Sequence, residues 1–191
     1  ASNTRGEDLA SALEAGQEPP PFLLFLRPLL SAGRLPTVPY SGITLVPSRS
    51  DVETVLATVL RDHCAVLAIG GDSLRVGAGK VQRSDDDWFA LFQKAAPRAE
   101  LIVMLPGHTP GMLQELGWIR ENLLQDRLVL LMPPAAKRSD DWADAWFRAE
   151  SEWRKAGIEL PPYDPAGALL AFDAAGHLSH SMSLVDASGE D

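Results

Sequence analysis

Leu101-Ile-Val-Met-Leu-Pro-Gly-His-Thr-Pro-Gly-Met-Leu-Gln-Glu-Leu-Gly-Trp-Ile119 is the stretch that decides the fold. Leu101 to Leu105 are all apolar, the pattern of a strand buried on both faces. Pro106, Gly107, His108, Thr109, Pro110 and Gly111 then break it with a turn. A helix follows, carrying Glu115 and Trp118 among Met112, Leu113, Leu116 and Ile119. Open α/β sheets place ligands where a buried strand turns into a helix in this way. Glu115 has two readings here. A carboxylate at the apolar edge of a cleft is suited to chemistry, whereas a carboxylate early in a helix is also favoured by the helix dipole alone.

The same unit recurs along the chain. Phe22-Leu-Leu-Phe-Leu26 is an apolar run bounded by prolines, with Arg27 at its carboxyl end. Cys64 to Ile69 is a second run, followed by Gly70, Gly71 and Asp72. Arg127 to Met132 is stopped by Pro133-Pro134. Ala168 to Phe172, a turn over Asp173 to Gly176, and His177 to Leu184 read as a strand pair at the sheet edge.

Helices are expected between these strands. Ser50 is an N-cap residue and Glu53 stands at the capping-box spacing, with Val52, Val55, Leu56, Val59 and Leu60 as the apolar face. Ser84-Asp85-Asp86-Asp87 opens another helix, which Pro97 ends. Asp140 to Ala156 is a further helix, and the spacing of Trp142, Trp146 and Trp153 puts the tryptophans in the core. The result is one α/β domain over residues 21–185, with a mostly parallel central sheet, helices on both faces and a C-terminal strand pair. Residues 1–20 read as a linker or N-terminal arm with a short helix over Asp8 to Ala15. Leu29 to Pro47 reads as a long loop in which Ile43 to Val46 forms a short edge strand, and residues 186–191 as a polar tail. The loop from Gly70 to Lys80 holds four glycines, so it suits either anion binding through backbone N–H groups or an ordinary surface loop.

Composition narrows the function. The formal net charge is −9 and the pI about 4.9, which argues against nucleic acid and anionic membranes as partners. Cys64 is the only cysteine, so no disulfide forms within the chain and a cysteine-based metal site is excluded. His63, His108, His177 and His180 lack the helical spacing of common zinc motifs, and no metal is expected. No apolar run is long enough to span a bilayer, so a cytoplasmic location is expected, although the chain starts at Ala1 and suits a soluble piece of a larger, even membrane-anchored, protein.

Several short motifs in order add a resemblance. Pro21-Phe-Leu-Leu-Phe-Leu-Arg27, Ile69-Gly70-Gly71, Val76-Gly77-Ala78, Asp86-Asp87-Trp88 and Thr109-Pro-Gly-Met-Leu-Gln-Glu115-Leu together resemble the bacterial TIR-like (Toll/interleukin-1 receptor homology) domains. The resemblance spans about residues 21 to 135. It implies a flavodoxin-like sheet and cleavage of the nicotinamide–ribose bond of NAD, by hydrolysis or with cyclisation of the ADP-ribose product. That activity belongs to effector or signalling domains, including bacterial defence. By the same resemblance Glu115 matches the catalytic glutamate, NAD is a substrate rather than a resident cofactor, and activity accompanies homo-oligomerisation. Arg27, Gly70, Gly71, Asp72, Gly77, Ala78, Thr109 and Trp118 become the substrate-binding candidates, with Arg27 equally suited to meet the pyrophosphate or to clamp a buried carboxylate as a structural residue.

The chain departs from the pattern where Thr109, Pro110 and Gly111 replace the Ser and Cys or Trp found before the glutamate of many active members. The long proline-rich loop after the first strand and the C-terminal hairpin also depart from it. Two alternatives stand beside NAD cleavage: a non-catalytic assembly module of the same fold, and an enzyme like the nucleoside deoxyribosyltransferases, which also set a glutamate against ribose.

Overall fold

The computed structural model describes residues 2–27, 34–37, 48–51, 56–57, 60, 63–69, 79–81, 87–135 and 141–184. The strands in chain order are β1 (Phe22–Leu26), β2 (Arg34–Thr37), β3 (Ser48–Asp51), β4 (Ala65–Ile69), β5 (Gly79–Val81), β6 (Leu101–Met104), β7 (Leu128–Met132), β8 (Ala168–Phe172) and β9 (Leu178–Ser183). Among the described residues the helices of at least eight residues are α1 (Ser2–Glu14), α2 (Asp87–Ala95), α3 (Pro110–Glu121) and α4 (Asp141–Lys155).

Apolar runs that have no polar face to offer water become the middle of one seven-stranded sheet, in the order β5-β4-β1-β6-β7-β8-β9. From β5 to β7 the neighbours are parallel, and β8 and β9 are antiparallel additions. Leaving the three-residue β5 aside, β4, β1, β6, β7 and β8 stand in the flavodoxin-like 2-1-3-4-5 order, with the last strand reversed. The order switches direction at β1, which pairs with β4 on one side and β6 on the other.

Alternation along the strands divides the core in two. Phe22, Leu24, Leu26, Ile102, Met104 and Leu130 face the layer containing Leu9 and Leu13 of α1, Phe92 of α2, Leu116 of α3 and Trp153 of α4. Leu23, Phe25, Val66, Val103 and Leu131 face the other way, where Leu56, Leu60 and Trp142 cover them. Fully burying a side chain of this kind contributes about 1.5–3 kcal/mol, so the central strands are held chiefly by two-sided burial.

Several elements differ from expectation. Residues 1–20, read as a linker or arm, contain a helix that begins at Ser2 and buries Leu9, Ala10 and Leu13. Its apolar stripe is narrow, and packing against the sheet supplies what composition does not. Within the expected loop from Leu29 to Pro47, Arg34–Thr37 pairs antiparallel with Ser48–Asp51. Ser50 and Asp51 therefore lie in a strand rather than at a helix start, and helix is present at Leu56 and Ala57. The glycine loop ends early, because Gly79 and Lys80 pair with β4 as part of β5. Ile43 to Val46 and residues 186–191 lie outside the described residues.

Among the described residues no helix is long and apolar enough to cross a membrane. Of the tryptophans of α4 expected in the core, Trp146 and Trp153 are core residues, whereas Trp142 is half-buried against the opposite cluster.

Candidate functional site

The carboxyl ends of β1 and β6 lie side by side at the point where the strand order reverses. Leu105 continues the ladder past β6, its N–H donating to the Leu26 carbonyl at 3.0 Å. Arg27 is therefore next to the start of the turn that leads into α3, and it is half-buried. Pro106 and Gly107 are buried, whereas His108 reaches solvent.

The turn is fixed from a distance. The Trp153 indole N–H donates to the Gly107 carbonyl at 2.9 Å, a buried contact across 46 residues. Nothing in the local sequence around Gly107 announces this partner. The available signal was Trp153 itself, since a buried indole usually finds an acceptor.

α3 begins in the conformation its residues favour. Thr109 occupies the N-cap in extended geometry and Pro110 follows inside the helix, where its missing N–H costs nothing. The Thr109 side chain makes no cap hydrogen bond, and the first turn holds no acidic residue. Gly111 lies alongside the Trp88 ring of α2, so that a methyl group there would sit 3.5 Å from the ring.

Met112, Glu115, Leu116 and Ile119 form the buried face of α3, at the spacing of one helical stripe. Glu115 is thus carried inward by its neighbours, about 7–8 Å along the axis from the helix start at about 1.5 Å per residue. It is 6% exposed. Among the described residues nothing hydrogen-bonds or ion-pairs with its carboxyl, and desolvation alone raises its pKa from the usual 4.5 to about 8.

That displacement corresponds to roughly 5 kcal/mol between the two protonation states, at about 1.4 kcal/mol per pH unit. Met112, Leu116 and Ile119 together contribute a comparable or larger amount, at about 1.5–3 kcal/mol each. The apolar stripe therefore suffices to hold the acid inside, and at pH 7 it holds it mainly in the neutral form.

Of the residues selected from sequence, Arg27, Thr109 and Glu115 fall at this end of the sheet. Trp118 turns to a packing role, its ring meeting Phe92 of α2 edge-on at 5.3 Å between centroids. Gly70, Gly71, Asp72, Gly77 and Ala78 lie outside the described residues. Among the described residues there is no group of three or more His, Cys, Asp or Glu able to hold a metal ion.

No family model, curated protein or solved structure matches the chain at a significant level. The site is therefore read from its own residues. Half-buried Arg27, the amino end of α3 without a side-chain cap and buried Glu115 belong to the elements that follow β1 and β6 at the switch point. Backbone N–H groups at a helix start and a guanidinium favour an anion such as a phosphate. A carboxyl group with no internal partner can respond to a cation brought in by a ligand.

Proposed function

We propose that this chain is a TIR-like domain that cleaves the nicotinamide–ribose bond of NAD, with Glu115 as the acting carboxylate. The observation that carries the reading is Glu115 itself: a buried carboxyl group without a partner among the described residues, on the helix after β6, which leaves the sheet beside its switch point. The 2-1-3-4-5 core order and the motifs around Arg27 and Glu115 support it.

In this account the pyrophosphate lies near Arg27 and the amino end of α3, and the nicotinamide riboside end approaches Glu115. The cationic pyridinium lowers the pKa of the nearby carboxyl and favours its ionised form. As the glycosidic bond breaks, its electron pair passes to the nicotinamide ring nitrogen, which leaves neutral. Positive charge moves to the ribose, where the Glu115 carboxylate stabilises it. In hydrolysis, water adds to the anomeric carbon and releases a proton to solvent, giving ADP-ribose. In cyclisation, a nucleophile of the ADP-ribose product itself takes the place of water. Both outcomes fit an effector or signalling domain working in the cytoplasm.

The 6% exposure of Glu115 favours a second reading, a non-catalytic assembly module in which the acid stays covered. Release of nicotinamide from NAD, followed across protein concentration with and without Glu115→Gln, separates the two.

A further inference from the structure

α2 meets α3 with a run of aromatic rings. The Trp88 and Phe89 rings stand edge-on at 5.2 Å between centroids, Phe89 stacks on Phe92 at 5.6 Å, and Phe92 meets Trp118 edge-on at 5.3 Å. At the other end of the run, the six-membered ring of Trp88 lies against Gly111 in the first turn of α3. Trp88 is itself in the first turn of α2. Both helices therefore start at the same end of the sheet, the end at which β6 leads into α3.

Glu115 comes four residues after Gly111 and three before Trp118. Residues three and four apart share one face of a helix. Gly111, Glu115 and Trp118 thus line one flank of α3, and α2 meets that flank on either side of Glu115. Helical side chains lean toward the amino end of their helix, so Glu115 leans toward the turn that carries Gly111. Trp88 also differs from the enclosed tryptophans of α4. Trp146 and Trp153 are buried, and each donates its indole N–H to a backbone carbonyl. Trp88 is half-buried, at the mouth of the candidate site.

We propose that Trp88 is a ligand-binding residue of this site, and that the cationic pyridinium ring of NAD seats on its indole beside Glu115. The choice of ligand rests on the NAD cleavage proposed above. Among side-chain rings an indole attracts a cation best, through the negative face of its π system. A carboxylate one turn along the helix attracts the same charge. Adenine is neutral and gains no charge attraction from either, so the nicotinamide end is the occupant. The attraction ends with the reaction, because nicotinamide leaves as a neutral ring. Trp88 therefore holds the ground state at least as tightly as the transition state, in which the charge has moved to the ribose. Its removal raises KM and leaves kcat nearly unchanged.

The indole N–H signals in nuclear magnetic resonance spectra of the full 191-residue chain, assigned through the backbone, test this with two probes that have no glycosidic bond to cleave. One is 1-methylnicotinamide, which carries the pyridinium charge, and the other is nicotinamide, which does not. The Trp88 signal should shift saturably with 1-methylnicotinamide, and nicotinamide should bind roughly tenfold more weakly. Trp88→Leu should raise the KM for NAD roughly tenfold with kcat within about twofold, and Trp88→Phe, which keeps an aromatic face, should raise it less. A Trp88 signal that neither probe moves overturns the proposal, whatever becomes of NAD. So does a signal that moves with ADP-ribose and not with 1-methylnicotinamide, since the ring seated there is then adenine. An unchanged KM in a folded Trp88→Leu overturns it as well. If 1-methylnicotinamide moves the signal while the chain releases no nicotinamide from NAD, the ring site stands and NAD cleavage falls. If Trp88→Leu does not fold, the signal shifts decide the matter, because they are read on the parent chain.

Discussion

The Trp153 indole N–H and the Gly107 carbonyl, 2.9 Å apart and fully buried, join the carboxyl-terminal half of α4 to the turn at the mouth of the candidate site. This single bond reaches from a core tryptophan to the backbone that sets where α3 begins, and hence where Glu115 lies. Trp153→Phe keeps an aromatic ring but leaves the carbonyl without its donor. A loss of at least about 1–3 kcal/mol in unfolding free energy is expected, from the stranded acceptor alone. Urea titration measures it, and a change within error would show that the bond contributes nothing.

Glu115 makes stability depend on pH. Its pKa is near the usual 4.5 in the unfolded chain and about 8 in the folded one. Between those values the folded state holds the extra proton, so this contribution to stability is fully present below about pH 4.5 and is lost as pH rises through about 8. Above 8 this contribution levels off. Glu115→Gln cannot ionise, so the difference in stability between the variant and the parent should grow in the variant's favour from pH 5 to 9. The gain should reach a few kcal/mol, with roughly 5 kcal/mol as an upper bound. Denaturant midpoints across that range check it, and parallel profiles for the two proteins would remove the buried-acid account.

The same ionisation sets the rate. If the carboxylate is the acting form, kcat/KM for NAD rises about tenfold per pH unit below about 8 and flattens above it, because kcat/KM reports the free protein. The break in kcat should fall at lower pH, since the bound pyridinium favours the carboxylate. A kcat/KM that falls on going from pH 6 to 8 would assign activity to the protonated acid instead.

Gly167 is a backbone requirement of the β7–β8 junction. Its φ is +74°, and a methyl group there would lie 2.8 Å from the Pro134 nitrogen and 2.9 Å from the Met132 carbonyl oxygen. Both obstacles are backbone, so neither can rotate away. Gly167→Ala should cost more than about 1 kcal/mol from the conformation alone, with the overlap added to that. Thermal unfolding tests the point. An unchanged midpoint would mean that the junction relaxes freely.

Much of the sheet was legible because its strands are unbroken apolar runs with proline or glycine at their ends. Phe22–Leu26 is found where expected, and Ala65–Ile69, Leu101–Met104 and Leu128–Met132 lie within their expected runs. Elements that depend on distant partners were not legible. Ser2–Glu14 is too polar to signal burial, yet Leu9 and Leu13 fit the core. Arg34-Leu-Pro-Thr37 has no strand alternation and contains proline, and it is a strand only because Ser48–Asp51 lies beside it. At the site, Glu115 was selected from its neighbours. Its depth follows from its phase with Met112, Leu116 and Ile119. Trp118 shares that helix but lies one residue off the buried stripe, which sends it to Phe92. The Trp153 bond to Gly107 joins residues 46 apart in sequence, so no local pattern could announce it.

The most direct measurement is release of nicotinamide from NAD by the full chain, over a wide range of protein concentration at pH 8, beside Glu115→Gln and Glu115→Ala. The account predicts release that increases more steeply than protein concentration. It predicts loss of at least about a hundredfold in both variants, the scale of removing one electrostatic stabiliser of a transition state. Both variants should retain the parent's circular dichroism. Equal turnover by Glu115→Gln, or no release by the parent at any concentration, would contradict it.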